Sequence, residues 1–239
     1  MGSPYGFQTT CWTVVAQAGA SGSPDATLAL ETVCLTCRSP VLTYIRRLGY
    51  NPTDAEDLAQ AFFGWVVEHN PLSAADPRKG RFRSFLLGTL KHFLSDERKR
   101  CRALKRGGGQ SPISMDALNS EVWLAEEPSV AATAEDDYDR QWALALLERS
   151  LVALEEEYGS QGKRELFRAL VGFQLAGDSG EPYKVVSARL GMSEAAVKTA
   201  IHRLRRRHSE LLRHEVARTV SCPADVDGEL RHLINLMSG

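Results

Sequence analysis

The sequence predicts an all-α protein of two helical domains joined by an acidic flexible linker, and three observations carry that prediction. Apolar residues recur at three- and four-residue spacing through much of the 239-residue chain, the period of an amphipathic helix. No segment alternates apolar and polar residues as a half-buried strand does. Charge is also segregated. Residues 78–106 hold eleven Lys/Arg against two acids, residues 107–139 hold eight acids and no Lys/Arg, and residues 183–218 hold nine Lys/Arg against three acids.

The helices follow in chain order. Ser23-Pro24 is a helix-opening pair, followed by Leu28, Val33 and Leu35. Ser39-Pro40 restarts the helix, which carries Val41, Leu42, Ile45 and Leu48 and stops at Gly49. Asn51-Pro52-Thr53 forms a turn and cap before Leu58, Phe62, Trp65 and Val66, and Asn70-Pro71 ends that element. The longest pattern runs from about Arg81 to Arg106, with Phe82, Leu86, Leu90, Phe93 and Leu94 on one stripe. Trp142, Leu146, Leu147, Leu151 and Leu154 mark a further helix, and Leu166, Leu170 and Phe173 another. The predicted division is a first domain over 1–106, an acidic linker over 107–135, a second domain over 136–220 and a helical extension over 221–239.

Composition excludes several classes. An apolar fraction of 43% is ordinary for a globular chain. No stretch approaches the roughly 20 apolar residues that cross a bilayer. The N-terminal residues lack a basic region followed by an apolar run, so a cytoplasmic protein without membrane insertion is expected. Five scattered cysteines make a poor disulfide framework, and Cys34-Leu-Thr-Cys37 has no second pair to complete a zinc set. Phosphate-binding glycine motifs, HExxH and a nucleophile elbow are missing, and Gly107-Gly108-Gly109 follows a basic helix, not a strand. The expectation is a non-enzyme with no catalytic residues, metal or cofactor.

The C-terminal basic block has the layout of a helix-turn-helix. A short helix with Val185, Val186 and Leu190 reaches Gly191, which suits a tight turn. Ser193 then caps a second helix whose inward stripe is Val197, Ile201, Leu204 and Leu211. Glu194, Ala195, Lys198, Thr199, His202, Arg203 and Arg206 fall on its outward face, where a helix in the major groove meets base edges and phosphates. A solvated basic helix would give the same pattern. His202, His208 and His214 lie on different faces and read as solvated.

The first basic block mixes Phe82, Phe85, His92 and Phe93 with dense Lys/Arg. Such charge tracks phosphate, and planar side chains hold unstacked bases, although Phe82 and Phe93 read as core. Just upstream, Asp54, Glu56 and Asp57 form an acidic face. An acidic face beside a nucleic-acid surface invites a basic protein partner, while acids in a first turn also complement the helix dipole.

At these residues the chain resembles the extracytoplasmic-function group of sigma factors, from about Thr10 to Val220. Asp54-Ala-Glu-Asp57-Leu-Ala-Gln60-Ala-Phe-Phe63 is similar to that family's polymerase-binding helix. The resemblance assigns polymerase contact to Asp54, Glu56, Asp57, Gln60 and Phe63. Phe85-Leu86, Lys91-His92 and Asp96-Glu-Arg98-Lys99-Arg100 look like its helix for the minus-ten element, which implies DNA contacts at Arg83, Lys91, His92, Arg98, Lys99 and Arg100. Residues 185–205 look like its reader of the minus-thirty-five element, with Ser193, Glu194, Ala195, Lys198, Thr199, His202, Arg203 and Arg206 in contact with DNA. The run Arg81-Phe-Arg-Ser-Phe85 and the glycines at 107–109 look like a planctomycete-type subgroup. Ala61, His92 and Ala200 depart from the family's usual acid, asparagine and arginine.

The resemblance implies a protein that binds core RNA polymerase, directs it to promoter DNA and assists strand opening. An anti-sigma protein or a regulatory kinase is the expected kind of controlling partner. The alternative is a stand-alone helix-turn-helix regulator of duplex DNA, which accounts for the C-terminal block but gives no role to the acidic helix beside a basic, aromatic one.

Overall fold

The computed structural model describes residues 24–76, 79–106, 133–175, 182–220 and 222–238. Those residues are all-helical, with no strand among them. In order they are α1 (Pro24–Arg47), α2 (Pro52–His69), α3 (Phe82–Arg106), α4 (Ala134–Ser160), α5 (Arg164–Leu175), α6 (Tyr183–Leu190), α7 (Glu194–Ala217) and α8 (Val226–Ser238), with short 3-10 turns at Pro71–Ala74 and Pro223–Asp225. The expected helix opening at Ser23 lies outside the described residues, as does the acidic linker up to residue 132; residues 134 and 135 already belong to α4. Among the described residues no helix is long and apolar enough to cross a membrane.

Where a helix break was expected at Ser39-Pro40, α1 is continuous, with Pro40 inside it. Proline removes one helical hydrogen bond and crowds the preceding turn, at about 3 kcal/mol. Here Val33, Cys37, Val41, Tyr44 and Ile45 are all buried on both sides of it. Burying each such side chain is worth roughly 1.5–3 kcal/mol, so packing outweighs the local penalty. At the start of α2 the expected cap forms. Asn51 Oδ1 accepts from the Asp54 backbone N–H at 2.9 Å, and its Nδ2 donates to Asp54 Oδ2 at 2.9 Å.

The chain divides into two compact units. One takes the chain up to Ala145 and again from Ala217 onward, and the other is Leu146–Val216. This differs from a division at 136 and 221, because the start of α4 and all of α8 belong with the first unit. The reason is aromatic packing that helical periodicity does not reveal. Tyr138 and Trp142 are buried; Tyr138 meets Tyr44 edge-on at 6.3 Å, and Trp142 lies 6.1 Å from Phe82. The Phe82 N–H donates to the Thr219 carbonyl at 3.2 Å, tying residues after α7 to the head of α3. Phe62 and Phe93, 5.5 Å apart, complete this core on α2 and α3.

The second unit has its own core of Leu154, Phe167, Leu170, Phe173, Val186, Val197, Ile201 and Leu204. Gly191 closes α6 at φ +63°, the left-handed region that favours glycine. The Met192 N–H donates to the Ser187 carbonyl at 3.0 Å, and the Ala196 N–H donates to Ser193 Oγ at 3.2 Å, so Ser193 caps α7. Expected in solvent, His208 is buried and shares a 2.9 Å hydrogen bond with Ser150. It lies four residues after Leu204, on the stripe that Val197, Ile201 and Leu204 already define.

Gly191→Ala should cost about 1 kcal/mol from backbone strain alone, since no atom lies within 4 Å of the added Cβ; urea unfolding measures it. Desolvation lowers the His208 pKa, so the folded second unit resists the proton that an unfolded histidine accepts near pH 6.5. Stability is therefore full above that pH and falls as the pH drops through and below it. The urea midpoint should decrease from about pH 7.5 to about pH 5, and His208→Gln should flatten that dependence.

Candidate nucleic-acid interface

On the second unit all eight sequence-predicted reader residues are exposed: Ser193, Glu194, Ala195, Lys198, Thr199, His202, Arg203 and Arg206. They lie along one side of α7, opposite the stripe that builds the core. Local contacts fix several of them. Lys198 Nζ stands 5.2 Å over the Tyr183 ring, Thr199 Oγ1 donates to the Ala195 carbonyl at 3.0 Å, and Arg206 Nε donates to Glu210 at 3.1 Å. Behind this face Arg205 Nη2 donates to the Phe173 carbonyl at 2.7 Å, and Arg207 Nε donates to Glu157 at 2.8 Å. These two arginines brace the helix, leaving Lys198, His202 and Arg203 on the outward side. A concavity of about 640 Å³ flanks the same face, lined in part by Lys163, Ala195, Thr199 and Arg203.

On the first unit the structure separates the minus-ten-type residues. His92 and Lys99 are exposed near Asp96, which Lys99 approaches to 2.9 Å and His92 to 3.4 Å. Hydrogen bonding from Lys99 holds the Asp96 carboxyl below its usual range. Arg100 pairs with Glu97 at 3.0 Å, and Arg98 Nε lies 3.5 Å from the Tyr50 hydroxyl. Lys91 is half-exposed, but its ammonium sits 2.6 Å from Glu135 at the head of α4. That hydrogen bond raises the Lys91 pKa and lowers that of Glu135.

Arg83 is not on this surface. Its side chain is 6% exposed, ion-paired with Asp139, and its Nε donates to Glu229 at 2.8 Å. Arg81 reaches the other oxygen of Glu229 at 2.9 Å, and the Tyr138 hydroxyl donates to the Arg83 carbonyl at 3.2 Å. The periodicity was already informative here. Arg83 precedes Leu86, Leu90 and Leu94 by three, seven and eleven residues, which puts it on the buried stripe of α3. Nothing in the local sequence identifies its carboxylate partners, which lie 56 and 146 positions further on.

The acidic face of α2 is also partly consumed by the fold. Asp54 is buried as the reciprocal partner of Asn51. Glu56 pairs with Arg38 and lies 3.4 Å from Arg46. Asp57 and Gln60 remain exposed and Phe63 half-buried. Beside them runs a groove of about 710 Å³ between α1 and α2, with Leu30, Leu35, Phe63 and Val67 as its apolar lining and Arg38, Glu56 and Gln60 as its polar lining. Leu35 is 75% exposed and Val67 56%. Sequence reasoning missed this groove, because Leu35 and Val67 look like ordinary members of apolar helical runs. Cys34 also lines it, while Cys37 is buried in the core. Among the described residues no group of three or more His, Cys, Asp or Glu is placed to hold a metal ion.

Comparison with protein-family models, with curated proteins and with solved structures finds no match to this chain.

Arg83→Ala should lower stability by at least about 2 kcal/mol, because Asp139 loses its buried partner while Glu229 keeps only Arg81. Lys99→Ala, at an exposed pair, should cost less than about 0.5 kcal/mol. Paired urea titrations compare them, and equal losses would place Arg83 on the surface after all.

Proposed function

We propose that this chain is an extracytoplasmic-function-type sigma factor, which binds core RNA polymerase in the cytoplasm, brings it to promoter DNA and assists strand opening without catalysing a reaction. The observation that carries the reading is the pairing, in one unit, of an exposed apolar groove with a basic helix end. The groove gathers Glu56, Gln60 and Phe63, three of the residues for which polymerase contact was expected. Exposed apolar side chains with a charged rim resemble the core and edge of a protein interface. Nucleic acid would instead call for cations there.

Two separate basic surfaces support the DNA side of the proposal. The outward face of α7 offers Lys198, His202 and Arg203 to a major groove, where arginine fits the guanine edge and lysine the phosphates. The exposed end of α3 offers His92, Arg98, Lys99 and Arg100, a mixture of planar and charged groups suited to unpaired strands. A stand-alone helix-turn-helix regulator would use α7 and leave the groove of the first unit without an occupant. Regulation by an anti-sigma protein or a kinase would act on the same surfaces, by covering the groove or changing its rim charge.

Val67→Glu places a charge in the apolar groove at a position that is already solvent-exposed, and Asp57→Lys reverses an exposed acid. Each should weaken capture of core RNA polymerase about tenfold or more, equivalent to about 1.4 kcal/mol, with an unchanged circular-dichroism spectrum. Arg203→Ala should leave polymerase capture intact and reduce promoter-duplex affinity. Full polymerase capture by both the Val67→Glu and Asp57→Lys variants, properly folded, would remove the main support for the sigma reading.

A further inference from the structure

We propose that α8, closing beside the fixed acidic head of α4, acts as a clamp in cis that neutralises the basic first half of α3 and withholds it from nucleic acid until α8 detaches. The proposal rests on the reading of α3 as a DNA-binding helix.

Residues 81–95 contain Arg81, Arg83 and Lys91 and no acid of their own. All three cations are nevertheless paired, and every partner comes from a distant segment. Glu229 of α8 meets Arg81 at 2.9 Å and Arg83 at 2.8 Å; Asp139 of α4 pairs with Arg83; Glu135 of α4 meets Lys91 at 2.6 Å. Asp137, on the same turns of α4, adds a 2.8 Å pair with Arg47. The second half of α3 is different. There Asp96 and Glu97 pair with Lys99 and Arg100 inside the helix itself, and those cations stay exposed. One half of the helix is thus neutralised by carboxylates from other segments, and the other is tempered from within.

A carboxylate is a poor choice for simply attaching α8. Glu229 is 1% exposed, and desolvating a charged pair roughly cancels its attraction, so an apolar residue would hold the helix at least as well. What the carboxylate adds is exchangeability, since phosphate oxygens accept charge-assisted hydrogen bonds from the same guanidinium groups. Besides Glu229, α8 is attached through His232, whose Nε2 lies 3.4 Å from Asp139, and through a few apolar side chains. Its buried apolar residues include Val226 and Leu233, whereas Ile234 and Met237 are 55% and 40% exposed. A 13-residue helix is also marginal when detached. A polyanion that competes for Arg81 and Arg83 therefore opposes a small closing free energy.

The test measures binding of a short fluorescein-labelled single-stranded oligonucleotide by the full chain, using fluorescence anisotropy at about 0.15 M salt. The double variant Glu229→Gln/Asp139→Asn keeps side-chain volume but removes both charges and one acceptor oxygen from each group. It should bind about tenfold tighter than the unaltered chain, the gain expected from freeing two phosphate-binding cations at that salt. Equal binding by the two proteins overturns the clamp and leaves the DNA reading of α3 standing. Absence of binding by both overturns that reading and the clamp with it. Should the double variant fail to fold, hydrogen exchange on the unaltered chain decides. Excess oligonucleotide should accelerate amide exchange across residues 226–238, and unchanged or slower exchange there overturns the proposal.

Discussion

Arg83 joins three segments that are far apart in the chain. Its guanidinium is buried between Asp139 of α4 and Glu229 of α8, while its own helix contributes Phe82, Leu86 and Leu90 to the core. A charge taken out of water at that depth is tolerable only with its partners in place. The pairing thus sets where the head of α4 lies, and it returns the end of the chain to the first unit. Tyr138 and Trp142 follow from that placement, because they occupy the same turns of α4 as Asp139 and pack onto Tyr44 and Phe82.

Once α4 is held in this way, the surfaces of the first unit separate by chemistry. The α1/α2 groove stays apolar and open, its rim acid Glu56 neutralised by Arg38 and Arg46. The far end of α3 keeps its cations exposed, tempered only by Asp96 and Glu97. The near end of α3 is covered by carboxylates from elsewhere. In the second unit the division is simpler. A single helix, α7, turns Val197, Ile201 and Leu204 inward, which obliges Lys198, His202 and Arg203 to face out.

The outward face of α7 was legible because it depends on local rules alone. A glycine at the turn, a serine cap and a 3.6-residue period place every side chain of α7 without reference to any other segment. The acidic face of α2 was only half legible. Asp54 looked like a docking residue by type, but its position three residues after Asn51 makes it a capping partner, so local geometry took it out of the surface. The groove residues Leu35 and Val67 were not legible as such, because which apolar residues of a helix are left uncovered depends on how its neighbour crosses it.

The sequence by itself determined that the chain is helical, where most helices start and stop, and which side of α7 faces outward. These are properties of neighbouring residues, set by backbone sterics, caps and apolar period. Only the tertiary structure decided that α1 runs through Pro40, that the start of α4 and all of α8 belong with the first unit, and that Arg83 is a buried ion-pair centre while His92 and Lys99 are exposed. Those outcomes depend on burial and charge pairing between residues up to 146 positions apart, and such contacts leave no periodic trace in the sequence.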